Sequence, residues 1–149
     1  MRPSSHMETA LAAARAAADR NEVPVGAVLV RSDGAVLAVD GNRTNELNDV
    51  SAHAEVLVIR AAGRLLQSPR LSGCDLYVTL EPCAMCAAAI SFARIRRLYI
   101  GADDPKMGAV LNGGRFFDQP TCHHRPDVYD GFSADASTEL LRTFFDKRR

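Results

Sequence analysis

A histidine and two cysteines in the middle of the chain have the residue types and the spacing of a metal site. Cys83 follows His53 by 30 residues, and Cys86 follows Cys83 by three. One imidazole and two ionisable thiols form a set that zinc binds tetrahedrally, and three protein ligands leave a fourth position for water. The sequence therefore predicts one zinc ion per chain at His53, Cys83 and Cys86.

Glu55 lies two residues after His53 and supplies the acid–base group that such a site needs. Its carboxylate is close enough to handle the protons of a water at the metal without being a ligand. Bound zinc brings the pKa of water toward about 7, so hydroxide becomes available at neutral pH. We therefore expect Glu55 to carry protons between that water and a substrate.

Three structural alternatives compete with this catalytic interpretation. A redox pair of Cys83 and Cys86 would need neither His53 nor Glu55. A closed structural zinc site would need Cys74 as fourth ligand, but Cys74 lies at the far end of the strand predicted to precede Cys83. His53 could also be an ordinary core histidine. The combination of H-x-E with P-C-x-x-C favours catalysis over all three.

The same residues stand where helices are expected to begin. Apolar spacing predicts a helix at about 53–65, and a β-branched run predicts a buried strand at 76–80. Glu81 and Pro82 end that strand, and Pro82 suits the start of a helix reaching Ala93, because its missing N–H is not needed there. The partial positive charge at a helix amino end favours the thiolate, which is the form of cysteine that binds zinc.

The remaining segments are predicted to complete one α/β domain around the motif. Small apolar residues at helical spacing predict a first helix, and an Asp-Gly turn between two apolar runs predicts a hairpin. That hairpin makes the sheet mixed. The predicted elements are helices at 7–20 and 134–147 and strands at 25–30, 35–39, 97–100 and 127–132.

The composition is that of an ordinary globular domain. Of 149 residues, 47% are hydrophobic and 24% charged, and 18 basic residues balance 18 acidic ones. No global charge therefore draws the chain to nucleic acid or to a membrane, and a polyanion would need a local basic patch. The candidates for that patch are Arg94, Arg96, Arg97 and residues 147–149, with a solvated charged face as the alternative.

The absence of an apolar membrane-spanning or signal segment, together with the cysteine content, indicates a cytoplasmic protein. The sequence contains no apolar run of membrane-spanning length and no signal-peptide core, so we expect no membrane contact. Four cysteines without a secretory signal indicate metal or redox chemistry before disulfides. Residues 1–6 have the look of an expression-tag remnant, which leaves a single domain at 7–149.

Two polar loops are expected near the motif. The loop at 41–50 contains Asn42, which is either a binding residue or a solvated loop asparagine. The loop at 101–114 contains Asp104, and Phe116 and Phe117 after it are expected to anchor this segment to the core.

A second metal site is a weaker alternative further along the chain. Cys122, His123 and His124 are adjacent and are of metal-ligating types. They have no further partner at ligand spacing, which favours polar surface residues instead.

The motif and its surroundings resemble the TadA family, the bacterial tRNA-specific adenosine deaminases. The likeness extends from about Glu8 to Arg148, and H-x-E with P-C-x-x-C is the signature of zinc nucleobase deaminases. The GADDPK loop and the terminal helix are typical of the tRNA-acting branch. The matching stretches are NEVPVGAVLV, GNRTNELNDVSAHAEV, LYVTLEPCAMCAAAISFARI, YIGADDPKMGAV and LLRTFFDKRR.

This resemblance implies a fold, a reaction and a partner. The implied fold is a three-layer α/β/α arrangement with a five-stranded mixed sheet, and the implied assembly is a homodimer. The reaction is zinc-dependent conversion of adenosine to inosine at the wobble position of a tRNA anticodon stem-loop. The chain departs from the family pattern at Asp103, at His123 and over residues 119–122.

The resemblance also assigns roles to individual residues. Zinc would be held by His53, Cys83 and Cys86, with Glu55 as the proton carrier. Asn42 would hydrogen-bond the extruded base, and Asp104 would lie near the ribose of a neighbouring nucleotide. The remaining expected contacts are the pocket walls Val25 and Ala54 and the terminal-helix residues Phe144, Phe145, Lys147 and Arg148.

Two rival functions are compatible with the motif. One is an enzyme of the same fold that deaminates a free base, nucleoside or nucleotide, such as guanine, cytidine or deoxycytidylate. The other is a zinc-containing RNA-binding module without catalysis. Glu55 argues against the second, because a domain without catalysis does not need that carboxylate.

Overall fold

The computed structural model describes residues 3–148 of the chain. No helix in that range is both long enough and apolar enough to cross a membrane. The helices are α1 Pro3–Asp19, α2 Ala54–Leu66, α3 Ala84–Phe92 and α4 Ala134–Asp146, with a short 3-10 turn at Phe116–Asp118. The strands are β1 Gly26–Val30, β2 Val36–Gly41, β3 Asp75–Leu80, β4 Arg97–Ala102 and β5 Asp127–Tyr129.

The five strands form one mixed sheet in the order β2-β1-β3-β4-β5. Strand β1 runs antiparallel to both of its neighbours, while β3, β4 and β5 are parallel. The prediction of a five-stranded mixed sheet is therefore confirmed. Because β3 and β4 are parallel neighbours, the loops that leave their carboxyl ends emerge side by side, where ligands bind in open α/β sheets.

Alternating residues of the central strands pack into two separate cores. In β3, Leu76 and Val78 join the larger core with residues of α2 and α3, such as Val58 and Ile90. The intervening Tyr77 faces the other side and packs with residues of α1. This period of two gives the sheet a helical layer on each face, the predicted three-layer arrangement.

Helix α1 lies unusually close to the sheet. A Cβ atom at Gly26 would overlap the backbone of α1 at Ala10, so only glycine permits this approach. The helix also begins four residues earlier than predicted, at Pro3 instead of Met7. His6 is buried, with its ring centroid 4.9 Å from that of Tyr77.

The interpretation of residues 1–6 as a tag remnant stays a prediction. Met1 and Arg2 lie outside the described residues. Arg149, which belongs to the predicted basic patch, also lies outside them. Positions 3–6 form the first part of α1, and they therefore belong to the fold from which the sequence interpretation excluded them.

Candidate active site

The amino ends of α2 and α3 converge and bring the predicted metal ligands together. His53 is the N-cap residue of α2 and Cys83 is the N-cap residue of α3, each in an extended conformation. Neither side chain caps its own helix, so both point away for other use. Pro82 therefore precedes the N-cap, and the predicted helix start at Pro82 is corrected to Ala84.

The spacing of the three side chains fits zinc. His53 Nδ1 lies 3.7 Å from Cys83 Sγ and 3.5 Å from Cys86 Sγ, and the ligand atoms of all three residues lie within 4.8 Å of one another. With ordinary Zn–N and Zn–S lengths and tetrahedral angles, nitrogen and sulfur ligands of one zinc are about 3.5 Å apart. The two nitrogen–sulfur distances therefore fit one zinc ion.

The two alternative metal arrangements are not found among residues 3–148. His53, Cys83 and Cys86 form the single group there with three metal-ligating side chains at ligand distance. Cys74 precedes β3 while Cys83 follows it, so about 20 Å of strand lies between them. The His124 ring bonds the carbonyl oxygen of Ile95 at 2.7 Å.

The two thiols are electrostatically unequal. The pKa of Cys83 is lowered to about 4, because the Cys86 thiol donates a hydrogen bond to its sulfur and His53 adds another. The same bond to Cys83, together with burial, raises the pKa of Cys86. The hydrogen bond with Cys83 also raises the pKa of His53. Cys83 is thus prepared as a thiolate, the form that coordinates a metal.

Glu55 lies in the first turn of α2 beside this cluster and is 3% exposed. Burial raises the pKa of its carboxyl group to about 6, and its own backbone N–H and the nearby His53 only partly oppose that effect. A carboxyl group with a pKa close to the working pH can both accept and donate a proton. Its position and pKa suit the predicted proton carrier.

A cavity of about 680 Å³ opens onto the cluster. Its volume lies within the range of small-molecule sites. The floor is formed by His53, Cys83 and Glu55, and the rim by the loops after β2 and β4 and by α4. The lining residues are Val23, Val25, Asn42, Thr44, His53, Ala54, Glu55, Leu80, Glu81, Cys83, Asp104, Lys106, Met107, Leu141, Phe145 and Arg148.

Most predicted site residues meet in this cavity. Asn42 is 7% exposed and its side-chain amide lies 3.4 Å from the Thr44 hydroxyl, so it is not the solvated loop asparagine of the alternative interpretation. Val25, Ala54 and Asp104 also line the cavity. Cys86 is buried behind it within the cluster of ligands.

The terminal helix contributes differently from the prediction. Phe145 is exposed and lines the cavity, whereas Phe144 is buried and lies outside it. The Arg148 guanidinium stacks 3.4 Å from the centroid of the Phe144 ring and donates to Asn21 Oδ1 at 2.9 Å. The structure thus places Phe144 under Arg148 and outside the cavity, and its contact with the substrate stays a prediction.

The predicted basic patch is divided by the sheet. Arg96 makes a two-point ion pair with Asp75 at 3.0 and 2.9 Å, and Arg97 begins β4. These positions lie at the amino ends of β3 and β4, opposite the cavity. Among the described residues of the patch, Arg148 lines the cavity. Lys106, which the sequence interpretation did not count as part of the patch, is a second cation there.

Glu81 is the main residue that the sequence interpretation missed. The sequence pattern predicts only a strand end at this position, yet Glu81 is 3% exposed and holds the loop after β4 through several hydrogen bonds. A glutamate between a predicted buried strand and Pro-Cys is the sequence signal that could have identified this residue. Its partners lie 23 to 31 residues further along the chain, where no spacing rule identifies them.

Comparison with known proteins gives a consistent result. Residues 2–102 match the sequence model of the cytidine and deoxycytidylate deaminase zinc-binding region. The chain is 66% identical over 143 residues to a tRNA-specific adenosine deaminase of Agrobacterium fabrum, covering 96% of this chain and 93% of the relative. A tRNA-specific adenosine deaminase of Aquifex aeolicus is 41% identical with the same coverage of both chains.

Solved structures agree with these sequence matches. A chain from a study of A-to-I editing by tRNA:A34 deaminases superimposes with a TM-score of 0.90 at 66% identity, covering 92% of this chain and 99% of that one. A guanine deaminase of Bacillus subtilis reaches a TM-score of 0.68 at 30% identity, covering 99% and 94%. The fold is thus shared with deaminases of different substrates, and the likeness is greater to the tRNA-acting protein.

Proposed function

We propose that this chain, which belongs to the tRNA-specific adenosine deaminase family, converts adenosine to inosine at the wobble position of a tRNA anticodon loop. The observation that carries the proposal is the grouping of His53, Cys83 and Cys86 at zinc-ligand distances beside Glu55 on the floor of one cavity. The family's zinc-binding region spans these same residues.

The reaction replaces the amino group of adenine by oxygen and releases ammonia. Zinc held by His53, Cys83 and Cys86 would supply the Lewis acidity that activates water for attack at C6. Glu55 takes a proton from the attacking water and delivers it to ring N1. It then takes the second proton of the former water, from the hydroxyl added at C6, and transfers it to the departing amino group, so that one carboxyl group serves as base and as acid. Its pKa of about 6 supports both roles.

The cavity walls would hold the reacting base. Val25 and Ala54 offer apolar surfaces, and the Asn42 amide supplies a donor and an acceptor for the edge of the base. The bond from Arg20 to the Asn42 carbonyl oxygen at 3.0 Å fixes the backbone there. The base must leave its stack to reach this floor, which costs less in a loop than in a duplex.

The rim residues would meet the RNA that flanks the reacting base. Phe145 presents an exposed ring for stacking, and Arg148 and Lys106 present cations to phosphates. Asp104 would lie near the ribose of a neighbouring nucleotide. Because the net charge is zero, these local cations would supply the attraction to RNA. We further propose a cytoplasmic homodimer, in which each RNA surface is built from both subunits.

The decisive experiment compares substrates under one set of conditions. Purified protein is incubated with an anticodon stem-loop carrying adenosine at the wobble position and, separately, with free adenosine, cytidine and guanine. We expect inosine in the stem-loop and slower turnover of every small molecule. Faster turnover of guanine would instead support the free-base activity of the Bacillus subtilis relative.

A further inference from the structure

Glu81 follows β3 and stands two residues before Cys83, and its side chain turns toward the loop that follows β4. Its carboxylate accepts hydrogen bonds from backbone N–H groups at four positions of that loop and from one side-chain amide. The donors are the N–H groups of Asp104 at 2.9 Å, Val110 at 3.1 Å, Leu111 at 2.9 Å and Asn112 at 3.0 Å, and Asn112 Nδ2 at 2.7 Å.

This set of donors stabilises the ionised form of Glu81. The five bonds reach both oxygens of a carboxylate that is 3% exposed. Hydrogen bonds to an ionised acceptor are stronger than neutral ones. The carboxylate therefore acts as a fixed anchor inside the loop, which we define as residues 103–112 and call the rim loop.

The anchored loop carries the rim of the cavity. Asp104, Lys106 and Met107 line the cavity, and the last two are exposed. The Asp104 carboxylate accepts the N–H groups of Lys106 and Met107, both at 3.1 Å. The bond from Asp104 N–H to Glu81 therefore sets the position of the whole exposed tip.

The anchor also ties this rim to the metal-ligating residues. Glu81 is separated from Cys83 by Pro82 alone, and the Pro82 ring fixes one backbone angle of this short connection. The Pro82 carbonyl oxygen accepts the N–H of Ala109 at 3.0 Å, which adds a second attachment of the rim loop. These attachments thus set the distance between the rim loop and the metal-ligating residues on the cavity floor.

We propose that Glu81 is a positioning residue that holds the rim loop at the distance from the metal site at which its side chains meet the nucleotides flanking the reacting base. This inference rests on the proposed function, since a free base has no flanking nucleotides. Glu81 touches neither the base nor the metal in this role. Its loss should therefore weaken binding of the stem-loop more than it slows the chemical step.

The test uses Glu81→Gln in the full, zinc-loaded chain. The substitution keeps the shape but removes the charge and replaces one acceptor with a donor that faces N–H groups. We expect zinc content equal to wild type, at least tenfold faster amide exchange at Asp104 and 110–112, and KM for the stem-loop raised about tenfold. The kcat should stay within threefold of wild type.

A matched control is available at the other end of β3. Asp75 is also a buried carboxylate, and its oxygens accept two bonds from Arg96. Asp75→Asn should lower thermal stability and leave rim-loop exchange and KM unchanged. An equal rise of KM in Asp75→Asn and Glu81→Gln would show a general loss of stability and overturn the inference.

A second variant disturbs the same contact without changing Glu81. A Cβ atom at Gly108 would overlap the Glu81 carboxylate, so Gly108→Ala should push the rim loop away and raise KM in the same direction. This variant carries the test if Glu81→Gln does not fold. An unchanged KM in Gly108→Ala or loss of zinc in Glu81→Gln would overturn the inference.

The outcome separates this inference from the proposed function. Wild-type protein that fails to deaminate the stem-loop would refute the proposed function. Wild-type activity together with a wild-type KM in Glu81→Gln would refute the positioning role alone.

Discussion

Two buried glutamates line the same cavity and have opposite electrostatic surroundings. Glu55 and Glu81 are each 3% exposed. Burial raises the pKa of Glu55 to about 6, whereas the hydrogen bonds received by Glu81 overcome its burial and lower its pKa. Equal surface exposure thus accompanies opposite shifts, because Glu55 lies deeper from solvent with few donors and Glu81 accepts five hydrogen bonds.

The difference separates chemistry from positioning within one site. A carboxyl group that must gain and lose a proton during turnover cannot be stabilised permanently in one form. A carboxylate that must hold a loop should remain ionised and fully bonded. Glu55 meets the first requirement and Glu81 the second, and the predictions below test that division.

Loss of a metal ligand should have the largest effect. Cys86→Ala should abolish zinc binding and deamination, since three protein ligands are needed and Cys86 is one of them. Rim-loop amide exchange at Asp104 should remain slow, because Glu81 anchors the loop independently of the metal. Elemental analysis and hydrogen exchange measure the two results. Loss of both zinc and slow rim-loop exchange in Cys86→Ala would contradict the separation of chemistry from positioning.

Replacement of Glu55 should come next. Glu55→Gln should lower kcat by about 10³-fold or more while zinc content stays at one per chain, because proton transfer is needed at more than one step. Thermal stability should not fall, since the substitution removes an incompletely compensated buried carboxylate. Single-turnover kinetics, elemental analysis and calorimetry test this. Loss of zinc would make Glu55 a ligand and contradict its assigned role.

Glu81 should show the reverse pattern, with a clear pH dependence. Its folded-state pKa is lowered below the ordinary value of a glutamate, so its stabilising contribution is present above that ordinary value and is lost as pH falls through the lower folded pKa. At pH 7, Glu81→Gln should lower the free energy of unfolding by about 1.5–3 kcal/mol. Denaturant titrations between pH 7 and pH 3 should show this difference shrinking. A difference that grew toward acid pH would give the wrong sign.

The smallest effect is expected at His123, which is followed directly by His124 in the chain. His123 is exposed and lies outside the group of metal-ligating residues. His123→Ala should therefore leave zinc content, stability and kcat within error of wild type, as a reference for the two glutamate variants. Elemental analysis of His123→Ala and of wild type side by side would detect the loss of a second metal. Such a loss would support the second metal site.

Local patterns in the sequence were sufficient for most elements and for the centre of the site. The apolar run at 76–80 predicts β3 to within one residue, because a buried strand needs β-branched residues over a short span. The spacing and types of His53, Cys83 and Cys86 predict a zinc site, because few residue types bind that ion. Each inference uses residues whose chemistry is independent of distant parts of the chain.

The role of neighbouring residues on one helix depended on how that helix docks. Phe144 and Phe145 have the same side chain, but successive helical positions point about 100° apart. Docking of α4 buries Phe144 under Arg148 and leaves Phe145 in the cavity. The sequence predicts a substrate contact for both residues and does not specify which of them enters the cavity, because it does not contain the rotation of α4 about its axis.

What the sequence determined by itself was the chemistry of the floor, and what the tertiary structure decided was the construction of the rim. His53 and Glu55 are two residues apart in the chain, so they stay close together wherever the helix begins. Glu81 meets Asn112 only because β3 and β4 lie parallel and release their loops at one edge of the sheet. Such long-range pairing is set by the packing of the whole domain, and no local spacing encodes it.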